Sequence, residues 1–433
     1  MKGLQRPRNR ILWERSQQKH TFGGVTGQHM DSSFRQSILV ALCFGASIAL
    51  TPAHAQTAGD NASSRALALG FAVDTMVVPG SWWGVDPARA SLPDVVRAWR
   101  DYILMRHDAS LRSSFWSDAD RARSTDPDPL MTSESYLLDG RPLLVEAVPL
   151  VAGSSDRWLL RTVYVGGGST ARPGLFGMER SYIVREVDKD GRHRWVLASP
   201  LPFETAGWRR VRVGLIEYVV HPTHRFDAAR ARGTAQWAEA LLRRFGITDR
   251  SPVTYYQVPD LQAGFRVLGL EWVLSADRVG GRASPDRRFV IAGDPRYGEA
   301  YHHELVHVLL HPLVQERSAL ASEGIAYWLG GARGLTFVEM MRSLAVFLSD
   351  RPNTKLADVL SNQADGAIGS ATLPMVAALL ELTYRRSGDG GVLRVIEALG
   401  GKEPTITGLA RALDTTPQQL EADLGSLIQS FAR

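Results

Sequence analysis

The stretch "YHHELVHVLLHP" (301–312) constrains this chain more than any other. His303 and His307 are four residues apart, so on a helix they lie on one face, one turn from each other. Both imidazoles can then turn a nitrogen to a single point, at the roughly 2.0–2.1 Å that zinc requires. Glu304 sits beside them, placed to hold a water molecule at that point. Leu305, Val306, Val308 and Leu309 cover the remaining faces, which predicts a largely buried helix, and Pro312 is expected to end it. Four of the eight histidines beyond residue 55 fall within 302–311. A buried helix so rich in polar groups needs partners for them.

Three residues downstream compete as a third ligand. His311 is eight residues from His303, or about 12 Å along a helix axis, too far to share one ion; it is expected to interact with the carbonyl end of the helix instead. Glu316 follows the first helix too closely to fold back over the metal. Glu323 fits best. "ALASEGIAYWLGG" (319–331) reads as a second helix, starting far enough after His307 for a turn and an antiparallel return. Glu323 would complete a His2Glu site with one position open for water. Gly324 is expected to allow the close approach of that helix. Tyr327, four residues on, shares the face of Glu323 and could hydrogen-bond a ligand histidine or a developing oxyanion.

Composition narrows the chemistry. The chain has 433 residues and is basic overall, with a net charge of +5. That charge belongs to the first 55 residues, which hold seven Lys/Arg and two acidic residues. The remainder carries equal numbers of basic and acidic groups, so no argument for nucleic acid survives. "ILVALCFGASIAL" (38–50) followed by "PAHA" reads as a secretory signal peptide with cleavage after Ala55, and Met30 would give it an ordinary length. Thirteen apolar residues are too few to span a bilayer, so no stable membrane anchor is expected after cleavage. The expected location is periplasmic or extracellular. Cys43 is the only cysteine and lies in this leader. The mature chain therefore has no disulfide or thiolate chemistry, and any metal site must use His and carboxylate.

The chain divides into an accessory part, 56–205, and a second part, 210–433. In the first, "SLPDVVRAWRDYILMRHD" (91–108) has helical spacing at Val95, Val96, Trp99, Tyr102 and Ile103, with Ser91 as its cap. Strand-like runs follow: "SYLLD", "PLLVEAVPLV", "WLLRTVYVG", "RSYIVREVD" and "RWVLASPL". One helix and a strand meander predict an α+β domain, for which a cone-shaped, curved sheet similar to the NTF2-like group is an expectation. "VGGGSTARPG" (165–174) lacks the Gly-Lys-Ser/Thr of a phosphate loop and reads as a turn. "RRVRVGLIEYVV" (209–220) adds further strand. In the second part, "FDAARARGTAQWAEALLRRFGI" (226–247) is a helix with apolar positions at Ala229, Trp237, Ala240, Leu241 and Phe245, ending near Gly246. "PVTYYQV" and "RRFVIAG" are strands, and from 296 the pattern is mostly helical.

"YHHELVHVLL" followed by "LASEGIAYWLGG" resembles the gluzincin clan of zinc metallopeptidases, in particular the peptidase-MA-like family with its Glu-Gly-x-Ala signature. The resemblance extends loosely over 212–433. It implies a mostly helical zinc peptidase domain behind the accessory domain, one catalytic Zn2+ held by His303, His307 and Glu323, and Glu304 as general base. Thermolysin-type members carry an Asp four residues after the ligand glutamate; here that position is Tyr327, so the support of the ligands must differ. Tyr384 is one candidate for a further catalytic group from the C-terminal helices. The implied substrate is a peptide or protein, bound by edge pairing along "RRFVIAG". Two rival readings stay open: a non-catalytic zinc-containing binding module, and a zinc hydrolase of a non-peptide amide or ester.

Overall fold

The computed structural model describes residues 74–75, 90–124, 126–128, 140–151, 154–166, 174–273, 280–314, 319–360, 366–400 and 405–432. Residues 1–55 with Cys43, the run at 135–139, most of the glycine-rich stretch 165–174, and Glu316 lie outside the described residues. Gln56–Arg433 forms one compact unit of mixed α and β structure.

The N-terminal part of this unit is a helix laid on a sheet that is antiparallel except for the parallel pairing of β1 with β2. Helix α1 (Leu92–Met105) buries Val95, Trp99, Tyr102 and Ile103, the expected stripe. Ser91 does not cap it: the residue is itself helical, makes no side-chain cap bond, and directs its hydroxyl toward the Ser155 carbonyl. The sheet runs β1 (Asp74–Thr75), β2 (Arg141–Pro149), β3 (Arg157–Gly166), β4 (Gly174–Val187), β5 (His193–Ala198) in spatial order. Trp99, Trp158, Leu144, Leu160, Ile183 and Leu197 close the core between helix and sheet. Trp99 also donates its indole N–H to Thr162 Oγ1 at 2.9 Å, so the largest core side chain leaves no orphaned donor.

Beneath this apolar layer lies a buried polar one. The Arg106 guanidinium, 1% exposed, donates to Asp128 Oδ1 (2.7 Å), Glu179 Oε1 (2.9 Å), Glu179 Oε2 (3.0 Å) and Tyr164 Oη (2.5 Å). Tyr164 in turn donates to Glu179 at 2.6 Å, and Tyr102 donates to Asp128. Burial pushes both phenols well above their usual range, so both remain neutral donors.

The second sheet is mixed. Its order is β10 (Gly281–Ser284), β11 (Phe289–Ala292), β8 (Val253–Gln257), β7 (Ile216–Val220), β6 (Arg209–Val213). β7, helix α2 (Ala228–Arg244) and β8 form a βαβ unit with parallel strands. Asp227 caps α2 through the N–H groups of Ala229 and Arg230, and Gly246 (φ +67) turns the chain away from its end. The buried stripe of α2 is Ala231, Thr234, Ala235, Ala238, Leu241 and Leu242, while Ala229 and Ala240 are exposed. Alanine is small enough to fit either face, so alanines mark a helix without orienting it.

The two parts share a strand. β9 (Leu270–Val273), preceded by the short helix α3 (Leu261–Val267), leaves the second sheet and pairs with β4 of the first, Gly177 opposite Val273. β5 occupies the other half of the same long strand. Neither α3, β9 nor β10 stands out in the sequence, because each is four to seven residues long. The C-terminal part is helical: α4 (His302–Leu309), α5 (Ala319–Gly330), α6 (Phe337–Ser349), α7 (Gly366–Leu399, broken at Gly388), α8 (Ile406–Ala412) and α9 (Pro417–Ser430). No helix among the described residues is long and apolar enough to cross a membrane.

Replacing Arg106 with Met would strand Asp128 and Glu179 in the core. A loss of about 3–5 kcal/mol in urea unfolding is expected, and a value under about 1 kcal/mol would show the network to be solvated rather than buried.

Candidate metal centre

Helix α4 is short, and no side chain caps it at Tyr301. The N–H at its start, that of Tyr301, is met from the sheet instead. Tyr255 on β8 accepts the Tyr301 N–H (3.0 Å) and donates its own hydroxyl to the Gly298 carbonyl (2.7 Å). This fixes the start of the helix over the sheet. His303, Glu304, Leu305, Val306, Val308 and Leu309 are buried, as the sequence pattern implied. The helix stops at Leu309, before Pro312, and His311 opens a separate short turn (His311–Val314). His311 points to Asp286, with Nε2 3.3 Å from Oδ1, so its partner is a carboxylate rather than a helix end.

Helix α5 returns against α4 with almost no gap. A Cβ at Gly330 would lie 2.4 Å from the backbone nitrogen of His303 and 2.5 Å from its Cα. Gly330, not Gly324, is thus the residue that admits the close crossing of the two helices. Gly324 serves the opposite side of α5, where a Cβ would meet Val376 of α7 at 2.4 Å. Just past the helix, Gly331 (φ +72) turns its carbonyl to His303 Nδ1 at 2.8 Å. A side chain there would meet the Leu335 carbonyl oxygen at 2.3 Å, so only glycine fits. His307 Nδ1 lies 3.0 Å from Ser322 Oγ. A carbonyl can only accept, so His303 Nδ1 donates to Gly331; in the tautomer where His307 Nδ1 likewise donates to Ser322 Oγ, both Nε2 atoms are left for a metal ion.

The resulting donor set is a triangle. His303 Nε2 and His307 Nε2 are 3.3 Å apart, His303 Nε2 and Glu323 Oε2 3.5 Å, His307 Nε2 and Glu323 Oε1 3.4 Å. A tetrahedral ion with ligand bonds of 2.0–2.1 Å has ligand–ligand edges of about 3.3–3.4 Å. The histidine edge matches this, and the two Glu323 distances run to different carboxylate oxygens. One ligand atom from each residue lies within 4.8 Å of the others, a set that could hold one metal ion. The chemistry agrees. Two imidazole nitrogens and a carboxylate oxygen form an acceptor-rich cluster that a cation would complete. The histidine side chains are 10% and 11% exposed while Glu323 is 38% exposed, so the open side of the site is the carboxylate side.

Charge within the cluster is unevenly held. Burial drives His307 down to about 4, beyond what Glu323 restores. Burial also works against a charged His303, but its bond to Glu323, with the charges of Glu304 and Glu323, carries it above the usual range. Glu323 resists burial through the same two histidines and stays low. Glu304 faces the opposite outcome. It is buried, and burial pushes its pKa up to about 7, with the Glu323 charge adding and His303 and Arg282 opposing. Its carboxyl packs on Gly281 of β10, where a Cβ would meet Glu304 Cγ at 2.7 Å and Tyr301 Cε1 at 2.6 Å.

Tyr327 lies at the rim, its ring edge-on to His303 with centroids 5.4 Å apart. Its hydroxyl bonds Arg333, which holds a left-handed backbone (φ +52) in the turn after α5. Tyr384 is elsewhere: it packs on Trp328 and under the Arg244 guanidinium. "RRFVIAG" is not an edge either. β11 lies between β8 and β10, and among the described residues β10 is the terminal strand. Ser322 and the Gly331 carbonyl are the two supports that sequence reasoning missed. Ser322 adjoins Glu323, but only the register of α5 on α4 turns it toward His307.

No family model matches the sequence, and no curated protein matches it. Among solved structures, the crystal structure of an M1 zinc metallopeptidase from Deinococcus radiodurans is similar at 12% identity and a TM-score of 0.26. The match covers 68% of this chain and 65% of that one, so the chain spans less than two thirds of that structure. Likeness at this level leaves the interpretation to the donor geometry.

The triangle makes a direct prediction for metal content. Elemental analysis of the purified chain should return one zinc per molecule. Ser322→Ala should weaken zinc binding by about 10–100-fold, as expected for loss of a histidine support, and unchanged affinity would deny Ser322 that role.

Proposed function

We propose that this chain is a zinc-dependent metallopeptidase, with His303, His307 and Glu323 as the ligands of one catalytic zinc and Glu304 as the general base. The observation that carries the reading is the donor triangle with a buried carboxyl next to it in sequence. Zinc, when bound there, supplies Lewis acidity toward a carbonyl and lowers the pKa of water toward neutrality.

The protein's own residues do the rest. Glu304 takes the proton of the attacking water and passes it to the leaving amine. Its burial suits that exchange, since a carboxyl near neutrality can both accept and release a proton. Gly281 leaves the room that the Glu304 side chain occupies, since a Cβ there would lie 2.7 Å from Glu304 Cγ. Tyr327, braced by Arg333 and by the edge of His303, is a hydroxyl donor at the rim, suited to a developing oxyanion. β10 offers a terminal strand beside Glu304, along which an extended peptide could pair. Edge pairing thus moves one strand outward from the earlier expectation.

The finer parts of the reading belong here too. Export to the periplasm or outside the cell rests on the leader at 1–55. The accessory part, 56–205, is proposed as a curved helix-on-sheet domain of the NTF2-like kind, on the strength of α1 and the long strand β4. Residues 210–433 are proposed as the gluzincin-type catalytic part.

The decisive experiment replaces Glu304 with Gln and measures two quantities. Zinc content should remain one per chain. Hydrolysis of a mixed peptide library should fall by about a hundred- to ten-thousand-fold. A variant that cleaves peptides like the parent would remove Glu304 from the mechanism. A parent that holds zinc but cleaves neither peptides nor a panel of simple amides and esters would leave a binding module in its place.

A further inference from the structure

The second sheet has two faces, and the metal centre uses one. Tyr255 and Val290 point into the core beneath α4. Their neighbours in register, Thr254, Tyr256 and Phe289, point to the other face. Against that face the structure leaves a cavity of about 400 Å³, within the size range of small-molecule sites. Its floor is Thr254, Tyr256 and Phe289, and its walls come from both parts of the chain.

Three arginines line it, Arg123, Arg210 and Arg287, with Asp120 as the carboxylate in the lining. Arg123 Nη1 lies 3.9 Å from Asp120, and Arg210 Nη1 donates to Glu217 at 3.3 Å, an exposed pair that a bound anion can compete with. Arg210 is placed by register: it pairs across β6–β7 with Val219, which pairs with Tyr256, so the three share one row and one face. Arg287 comes from the β10–β11 turn. Its Nη2 donates to the Asp126 carbonyl (2.8 Å), and among the described residues no carboxylate forms an ion pair with it. Burial draws its pKa below the usual guanidinium range, with Asp120, Asp128, Asp126 and Asp286 offsetting in part. Asp120 is already engaged, accepting from Ser117 Oγ (2.6 Å) and from the Ser199 N–H (2.8 Å). Tyr256 is 8% exposed, and its hydroxyl has no hydrogen-bond partner among the described residues.

We infer that this cavity is a binding site for a small organic oxyanion, a carboxylate or a phosphate ester with an apolar body. Arg287 supplies the uncommitted charge, Arg210 adds a second guanidinium shared with Glu217, the Tyr256 and Thr254 hydroxyls supply donors, and Phe289 takes the apolar part. Guanidinium forks match both oxyanion types. The site is separate from the metal centre and does not depend on the peptidase reading.

The test is calorimetric titration of the full chain with benzoate, phenyl phosphate and inorganic phosphate. Saturable one-to-one binding of benzoate or phenyl phosphate in the micromolar to millimolar range is expected. The tighter of the two distinguishes a carboxylate from a phosphate ligand. Arg210→Gln lies on an exposed strand edge and should fold. It should weaken binding by about tenfold, as for loss of one charged hydrogen bond. Tyr256→Phe should weaken it less and keep the fold. His303→Ala should leave binding unchanged, which separates this site from the metal centre. Absence of saturable binding by all three anions, or equal binding in the parent, Arg210→Gln and Tyr256→Phe, would overturn the inference.

Discussion

The crossing of α4 and α5 at Gly330 is the constraint on which the candidate metal centre depends. With the Gly330 Cα directly against the backbone of His303, the two helices approach closer than any side chain would permit. That approach sets the height at which Glu323, two turns earlier on α5, meets the imidazoles. It also brings the next residue, Gly331, to where its carbonyl holds His303 Nδ1. A side chain at Gly330 would push α5 outward and open both contacts together. The position of the Glu323 carboxylate and the support of His303 are therefore set by the same absence of a Cβ. This is why a His-Glu-x-x-His helix alone is not yet a metal site.

The helix pair in turn rests on the sheet through Tyr255. A short helix without a side-chain cap has unmet N–H groups at its start, and leaving them buried would cost roughly 1–3 kcal/mol each. The Tyr255 hydroxyl takes one of them and, by donating to Gly298, holds the loop that leads into the helix. Burial keeps that phenol neutral, so it can accept and donate at once. The chain thus orients α4 from a central strand rather than from its own ends. Rigid placement of this kind suits a site whose ligands must stay within a few tenths of an ångström of one another.

How far the sequence carried this arrangement depends on what each residue encodes. The i, i+4 histidines, the apolar faces around them and the return helix with Glu323 follow from helical periodicity, and the structure brings those three side chains together. The stripe of α1 was equally plain because Val95, Trp99, Tyr102 and Ile103 are large and apolar. The stripe of α2 was not, because its apolar residues are mostly alanine. Gly324 does admit a close helix approach, but to α7, while Gly330 serves the crossing with α4; both glycines sit in one helix and only their packing partners distinguish them. The helix stop was placed at Pro312, whereas proline tolerates the first turn of a new helix, and the chain uses it so after His311. The outer strand β10 was missed because "GRAS" carries no strand pattern; it forms by pairing with β11, a long-range effect outside any local window.

The register of β8 joins these observations. In a strand, adjacent residues face opposite sides, so Tyr255 belongs to the metal centre while Thr254 and Tyr256 belong to the cavity behind it. The two sites share one backbone yet no side chain. An anion among the cavity arginines would bear on β8 through Thr254 and Tyr256, one peptide unit from the tyrosine that positions α4. β8 is hydrogen-bonded on both sides, between β7 and β11. Occupation of the cavity is therefore expected to stabilise the junction of the two parts of the chain. The geometry of the metal ligands should remain unchanged, because the paired strands on either side hold Tyr255 in register whether or not the cavity is filled.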